Sequence, residues 1–176
     1  MDKIVKRYGI TLRLVEIEDA EFILKLRTDS VLGKYISSTS SSLEKQKTWI
    51  EDYKKREAAG IEFYFIVEKD GVKYGTTRIY DVRNGGFETG SWVFSPDAPE
   101  SVPILAGIVC RELAFNQFPE ATYVRFNVRK ANKKVLRYHK MYNPKLVSED
   151  EENNFYVLDK DKWIEKKNNI LKMLGL

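Results

Sequence analysis

The sequence predicts a mixed α/β (α+β) chain, folded as one domain over residues 1–176. Three observations carry this. Two hairpin signals follow one another, Asp70-Gly71 and Asn84-Gly85-Gly86, each between alternating strand-like runs, which makes an antiparallel meander. The stretch Phe87 to Phe115 then runs strand, loop, helix, which is a crossover. Helical and strand periods alternate along the rest of the chain.

Taken in order, Ile10 to Val15 alternates as a strand. Glu18-Asp19 can cap a helix with Phe22, Ile23 and Leu26 on its apolar face. Arg27 to Ser42 is an irregular, serine-rich loop, and a long polar loop in a compact domain is often a binding segment. Ser41 to Glu44 fits a capping box and opens a helix with Leu43, Ile50 and Tyr53 inward, ending near Gly60. The meander strands are 63–68, 73–82 and 87–94. The next helix runs from about Pro103 to before Pro119, with Ile104, Leu105, Ile108, Val109 and Leu113 at helical spacing. A strand over 123–128 leads to a helix capped by Asn132 and carrying Val135, Leu136 and His139. Asn143-Pro144 stops it. Strands at 145–148 and 155–158 flank an acidic turn, and Asp159 caps a last helix with Trp163, Ile164, Ile170, Leu171 and Leu174 inward.

Composition narrows the class. In 176 residues, 43% hydrophobic and 12% aromatic side chains are enough for a proper core. Cys110 is the sole cysteine, which excludes an intrachain disulfide and a cysteine-based zinc site, and no metal is expected. No apolar run is long enough to span a bilayer, and MDKIVKRYG lacks a signal-peptide core, so no membrane partner and a cytoplasmic location are expected. A net charge of +4 fits an anionic small molecule as well as a nucleic acid. The basic cluster Arg129, Lys130, Lys133, Lys134, Arg137 and Lys140, beside Tyr138 and Tyr142, is the one feature that favours nucleic acid. The small net charge and the spread of Asp and Glu speak against that partner.

The strand-loop-helix of 87–115 also has the geometry that receives phosphate, because the first turn of a helix offers free N–H groups and the positive end of a dipole. An ordinary connection reads the same way.

The segment RKANKKVLRYHKMYNPK, 129–145, is similar to the late segment of the GNAT N-acetyltransferase superfamily, an Asn followed by a helix ending in Tyr and then Gly-Phe. Asn132 falls on the family Asn, His139 on its Tyr, and Asn143-Pro144 stands in place of Gly-Phe. The order of elements matches over nearly the whole chain. The resemblance implies a central, twisted, mostly antiparallel sheet flanked by helices, with an extra C-terminal helix. Gly75 to Phe94 and NKKVLRYHK resemble the branch that acts in surface-polysaccharide synthesis and acetylates amino sugars on nucleotide carriers.

The implied activity is acetyl transfer from acetyl-CoA, as cosubstrate, to the amine of a nucleotide-linked amino sugar. A protein N-terminus or another small amine is the first alternative acceptor. A non-catalytic coenzyme- or nucleic-acid-binding module is the second. A homodimer is compatible with either.

The same resemblance implies the site. Trp92, Val93, Phe94 and Ser95 would pair with the pantetheine amides, with an oxyanion donor among the N–H groups of Val93 to Ser95. Ser101, Val102 and Ile104 would meet the pyrophosphate, and Arg129, Lys130, Asn132 and Lys134 would lie near the coenzyme. The family's pyrophosphate loop is rich in glycine, whereas here Ser101 and Pro103 occupy the glycine positions. Pro103 has no N–H, so either the loop would cradle phosphate with fewer donors, Ser101 offering both N–H and hydroxyl, or coenzyme binding would be weakened or lost. Arg27, Lys34, Tyr35 and Arg78 would bind the anionic acceptor. Glu88 would take the amine proton, directly or through water, and His139 would protonate or stabilise the departing thiolate. Cys110, among Ile108, Val109 and Leu113, reads as core, since direct transfer needs no covalent intermediate.

Overall fold

The computed structural model describes residues 1–36 and 40–176. Its centre is an eight-stranded sheet. In chain order the strands are β1 (Ile4–Arg7), β2 (Ile10–Leu14), β3 (Phe63–Lys69), β4 (Val72–Arg83), β5 (Gly86–Phe94), β6 (Tyr123–Arg129), β7 (Lys145–Glu149) and β8 (Asn153–Asp159). They lie side by side in the order β1-β2-β3-β4-β5-β6-β8-β7. Every neighbouring pair is antiparallel except β5 with β6. The helices are α1 (Ala20–Thr28), α2 (Leu43–Ala58), α3 (Ser101–Gln117), α4 (Lys133–Lys140) and α5 (Lys160–Met173).

The run FYFIV in β3 is buried at every position, and the pleat explains why. Phe63, Phe65 and Val67 face a large cluster containing Val102, Leu105, Ile108 and Val109 of α3 and Trp163 and Ile170 of α5. Tyr64 and Ile66 face a smaller cluster with Ile23 of α1 and Ile50 and Tyr53 of α2. Both faces of the sheet are therefore covered.

The sequence reading holds for the fold class, the meander and the element order. It misses β1. The hairpin joining β1 to β2 turns at Tyr8 (φ 52) and Gly9 (φ 73), both left-handed, and a tyrosine is an uncommon choice there. The capping residues are also corrected. Ser42, one residue after the expected Ser41, accepts the Lys45 N–H at 3.3 Å. Asp19 caps no helix. Its carboxylate closes a short 3₁₀ turn by accepting the Glu16 N–H, and binds Arg13 and Lys73. Asp159 makes no side-chain cap of α5. Asn132 does cap α4, accepting the Val135 N–H at 3.2 Å.

Candidate active site

The site exists because β5 and β6 part company. They pair only at Gly86, Phe87 and Glu88 with Tyr123, Val124 and Arg125, after which β5 continues to Phe94 and β6 to Arg129 without touching in register. A bulge steers β5 away. Arg78 pairs with Gly90 and Thr76 with Val93, so Ser91 and Trp92 together oppose Thr77. Ser91 has φ 47, and its carbonyl accepts the Thr76 hydroxyl at 2.6 Å. Between the strands lies a cavity of about 360 Å³. Thr89 to Trp92 form one wall, Phe126 to Arg129 the other, and Gly107, Cys110 and Arg111 of α3 the floor.

Trp92 ties three elements together. Its indole Nε1–H donates to the Pro103 carbonyl at 3.1 Å, and its ring stacks on Tyr138 of α4 with centroids 4.6 Å apart. Gly107 allows this, since a Cβ there would overlap the Tyr138 hydroxyl. Tyr138 also lies edge-on to Tyr142, at 5.7 Å.

His139 lines the cavity and is buried, its ring stacked on Phe126 at 4.2 Å. Burial first, and then the positive charge of Arg111, push its pKa well below the ordinary value, so it is a neutral imidazole. A proton-delivering imidazolium is excluded at neutral pH, while a neutral N–H donor remains available. Arg111 Nη2 lies 3.5 Å from His139 Nδ1.

Of the other expected residues, Arg27, Tyr35, Trp92, Arg129 and Asn132 line the cavity. Glu88 sits just below it, where β5 and β6 still pair. Its Oε1 accepts the Tyr80 hydroxyl at 2.6 Å and Asn127 Nδ2 at 3.4 Å. Burial and that carboxylate raise the Tyr80 pKa, so Tyr80 stays a donor. Arg78 is held elsewhere, paired with Glu62 at 2.8 Å and stacked on Tyr80. Lys34 packs over the Tyr35 ring. Lys130 pairs with Glu149 at 3.0 Å and Arg129 with Glu152 at 2.8 Å, both exposed enough to yield to a ligand. Lys134, on α4, is exposed. Of the serine-rich loop expected over Arg27 to Ser42, residues 37–39 lie outside the described residues.

Around Val93 to Ser95 the strand has left β6 but keeps β4 on its other edge. Val93 and Phe94 pair with Thr76 and Gly75, and the Ser95 N–H donates to Tyr74 O at 2.8 Å. Alternation along β5 turns the Phe94 N–H to the opposite edge, towards β6. At the start of α3, Val102 is fully buried and its N–H donates to Pro99 O, while Ile104 is half-buried. The N–H groups of Glu100 and Ser101 make no hydrogen bond within the described residues, and no side chain caps α3. Two uncommitted donors at a helix start suit a phosphate, and they are fewer than a glycine-rich loop would offer. The residues present thus fit a coenzyme with an extended pantetheine and a pyrophosphate.

Cys110 is buried and its thiol is pushed up to about 11 by burial, so it is inert packing. Among the described residues no cluster of His, Cys, Asp or Glu could hold a metal ion, and no helix is long and apolar enough to cross a membrane. The sequence reading missed Thr89, Arg111, Asn127 and Tyr138 as cavity residues. For Arg111 the available signal was a lone cation inside the apolar run of α3.

The fold agrees with comparison to known proteins. The model of the acetyltransferase (GNAT) domain matches residues 10–142. The chain belongs to the GNAT family. This GNAT protein is 34% identical to apo FdhC, described as a nucleotide-linked sugar GNAT, over 97% of this chain and 98% of that one, with a TM-score of 0.86. The ribosomal-protein-S5-alanine acetyltransferase of Vibrio fischeri shares the fold, with a TM-score of 0.76 at 15% identity, covering 92% of this chain and 99% of that one. No curated protein sequence matches this GNAT chain.

Proposed function

We propose that this GNAT protein moves an acetyl group from acetyl-CoA to the amine of a nucleotide-linked amino sugar, by direct attack in a ternary complex. What chiefly supports the acceptor class is the end-to-end similarity to a nucleotide-linked sugar GNAT at 34% identity. The cleft supports the donor. Its inner edges, on β5 and β6, leave backbone groups for an extended pantetheine, and Glu100 and Ser101 N–H await a phosphate. Acetyl-CoA brings an activated thioester, so the protein has only to align it with the amine and manage charge and protons. Glu88, fixed by Tyr80 and Asn127, takes the amine proton directly or through a water. The Phe94 N–H faces the edge where the carbonyl oxygen gains charge. Arg27 and Tyr35 border the acceptor end of the cavity. Such an enzyme would work in the cytoplasm and feed surface-polysaccharide assembly.

A thiol-release assay with acetyl-CoA tests this across amino-sugar nucleotides, N-terminal peptides and polyamines. Saturable release with an amino-sugar nucleotide is the expected result. Release with peptides alone would move the acceptor to protein N-termini. No release with any amine, alongside salt-sensitive duplex binding, would remove the enzymatic reading.

A further inference from the structure

Arg111 is 2% exposed, yet among the described residues no carboxylate holds it. Its Nε and Nη1 are buried without a hydrogen-bond partner among the described residues. Its Nη2 lies 3.5 Å from Nδ1 of His139. Two rings flank it, the guanidinium centre lying 5.4 Å from Phe126 and 5.0 Å from Tyr142, whose hydroxyl also interacts with the guanidinium. An arginine keeps its charge at every working pH, and rings return only part of what desolvating that charge costs. A buried cation short of partners, beneath the lining of an open cleft, projects its charge toward an anion that arrives or develops there.

We propose that Arg111 is the anion-receiving group of this cleft, stabilising the thiolate that departs from the acyl donor and fixing His139 as its Nε2–H tautomer. This rests on the acetyl-transfer reading for the identity of the anion. The tautomer does not depend on it. A proton on Nδ1 would point at the guanidinium, so Nδ1 presents its lone pair to Arg111, and the single ring proton sits on Nε2. His139 Nε2 has no partner among the described residues and is free to donate.

In the transfer step the amine nitrogen forms the new C–N bond, and the C–S bond breaks with its electron pair going to sulfur. The amine proton leaves to Glu88 or water. Arg111 gives up no proton; its charge and the His139 N–H balance the thiolate, which takes a proton from solvent afterwards. This differs from acid catalysis by His139, because charge is supplied without proton transfer.

Two measurements test it. His139 is the only histidine, so a two-bond ¹H–¹⁵N correlation spectrum of the histidine-labelled protein at neutral pH reports one ring. The expected spectrum is that of neutral Nε2–H imidazole; an Nδ1–H ring or an imidazolium overturns the tautomer assignment. Kinetically, Arg111→Met is expected to lower kcat about a hundredfold with the KM for acetyl-CoA within about twofold. Acyl donors with a more acidic thiol leaving group should recover much of that loss. A role in packing alone would lower activity equally for every donor, and that result, or a wild-type kcat, overturns the anion site. Should Arg111→Met not fold, Arg111→Lys keeps the charge but loses the fork, and the same dependence on leaving-group acidity is expected of it. If the wild-type protein acetylates no amine, the transfer reading fails while the spectrum still decides the tautomer.

Discussion

Asp19 and Arg111 are equally buried, each at 2% exposure, and the protein treats them in opposite ways. Asp19 accepts Arg13 through both oxygens, at 2.7 and 2.8 Å, Lys73 at 2.8 Å and the Glu16 N–H at 3.0 Å. Arg111 has aromatic rings, the Tyr142 hydroxyl and one distant imidazole nitrogen, and no carboxylate among the described residues. The first pattern closes a joint between β2, β4 and the start of α1, and nothing is left to bind. The second leaves a cation short of partners just beneath the lining of a cleft. Where burial is equal, the count of partners separates a charge that holds the fold from one kept for a ligand.

The sharpest way to break the comparison is at Asp19. Asp19→Ala leaves two cations facing a gap, and the expected loss is about 3–5 kcal/mol in denaturant melts. Burial alone would raise the Asp19 pKa; the hydrogen bonds from Arg13, Glu16 and Lys73 outweigh it and hold the carboxyl at about 2, against an ordinary 3.8. Between those values the unfolded chain binds the proton and the folded one does not. Stability should therefore be present above the unfolded pKa and fall as pH drops from about 3.8 through about 2. Asp19→Asn should flatten that part of the acid-stability profile. A profile identical to wild type would show that the joint carries no such charge.

His139 comes next. His139→Phe keeps the ring that stacks on Phe126 and removes the donor, so a loss of about tenfold to a hundredfold in kcat is expected with unchanged melting. His139→Tyr should restore part of it. Unchanged turnover in the Phe variant would make the ring packing alone. A smaller effect, on stability, is expected at Gly107, where a Cβ would overlap the Tyr138 hydroxyl. Gly107→Ala should cost about 1–3 kcal/mol by overpacking and loosen the Trp92 stack, read as a change in tryptophan fluorescence. The least effect is expected at the acceptor end. Arg27→Ala should raise the acceptor KM a few-fold, and Arg78→Ala should do less, because Glu62 already holds that side chain. A larger effect at Arg78 would mean that Glu62 releases it to the acceptor.

Much of this was legible in the sequence where the signal is local. Asp70-Gly71 and Asn84-Gly85 gave the meander, Asn132 the cap of α4, and the order of elements the fold. Tyr8-Gly9 hid β1, because its turn adopts positive φ without the usual Asn or Asp. The cavity floor was hidden for a different reason. Arg111 stands in an apolar run, and its neighbours Phe126, His139 and Tyr142 come from distant segments that only folding brings together. The stack of Trp92 on Tyr138 is equally non-local. Partner counts cannot be read along a chain, and they are what distinguish Arg111.

The seam between β5 and β6 has a further consequence for exchange with solvent. Three residue pairs close it, Gly86 to Glu88 against Tyr123 to Arg125, and above them the facing edges of both strands border the cleft. Amide hydrogens on those inner edges, the Phe94 N–H among them, should swap with deuterium much faster than those on the outer edges, which β4 and β8 protect. An extended ligand lying between them would act as a missing strand and slow them selectively. The deuterium uptake of the segments 89–94 and 126–129 is thus a direct gauge of occupancy, one that needs no turnover and no label on the ligand.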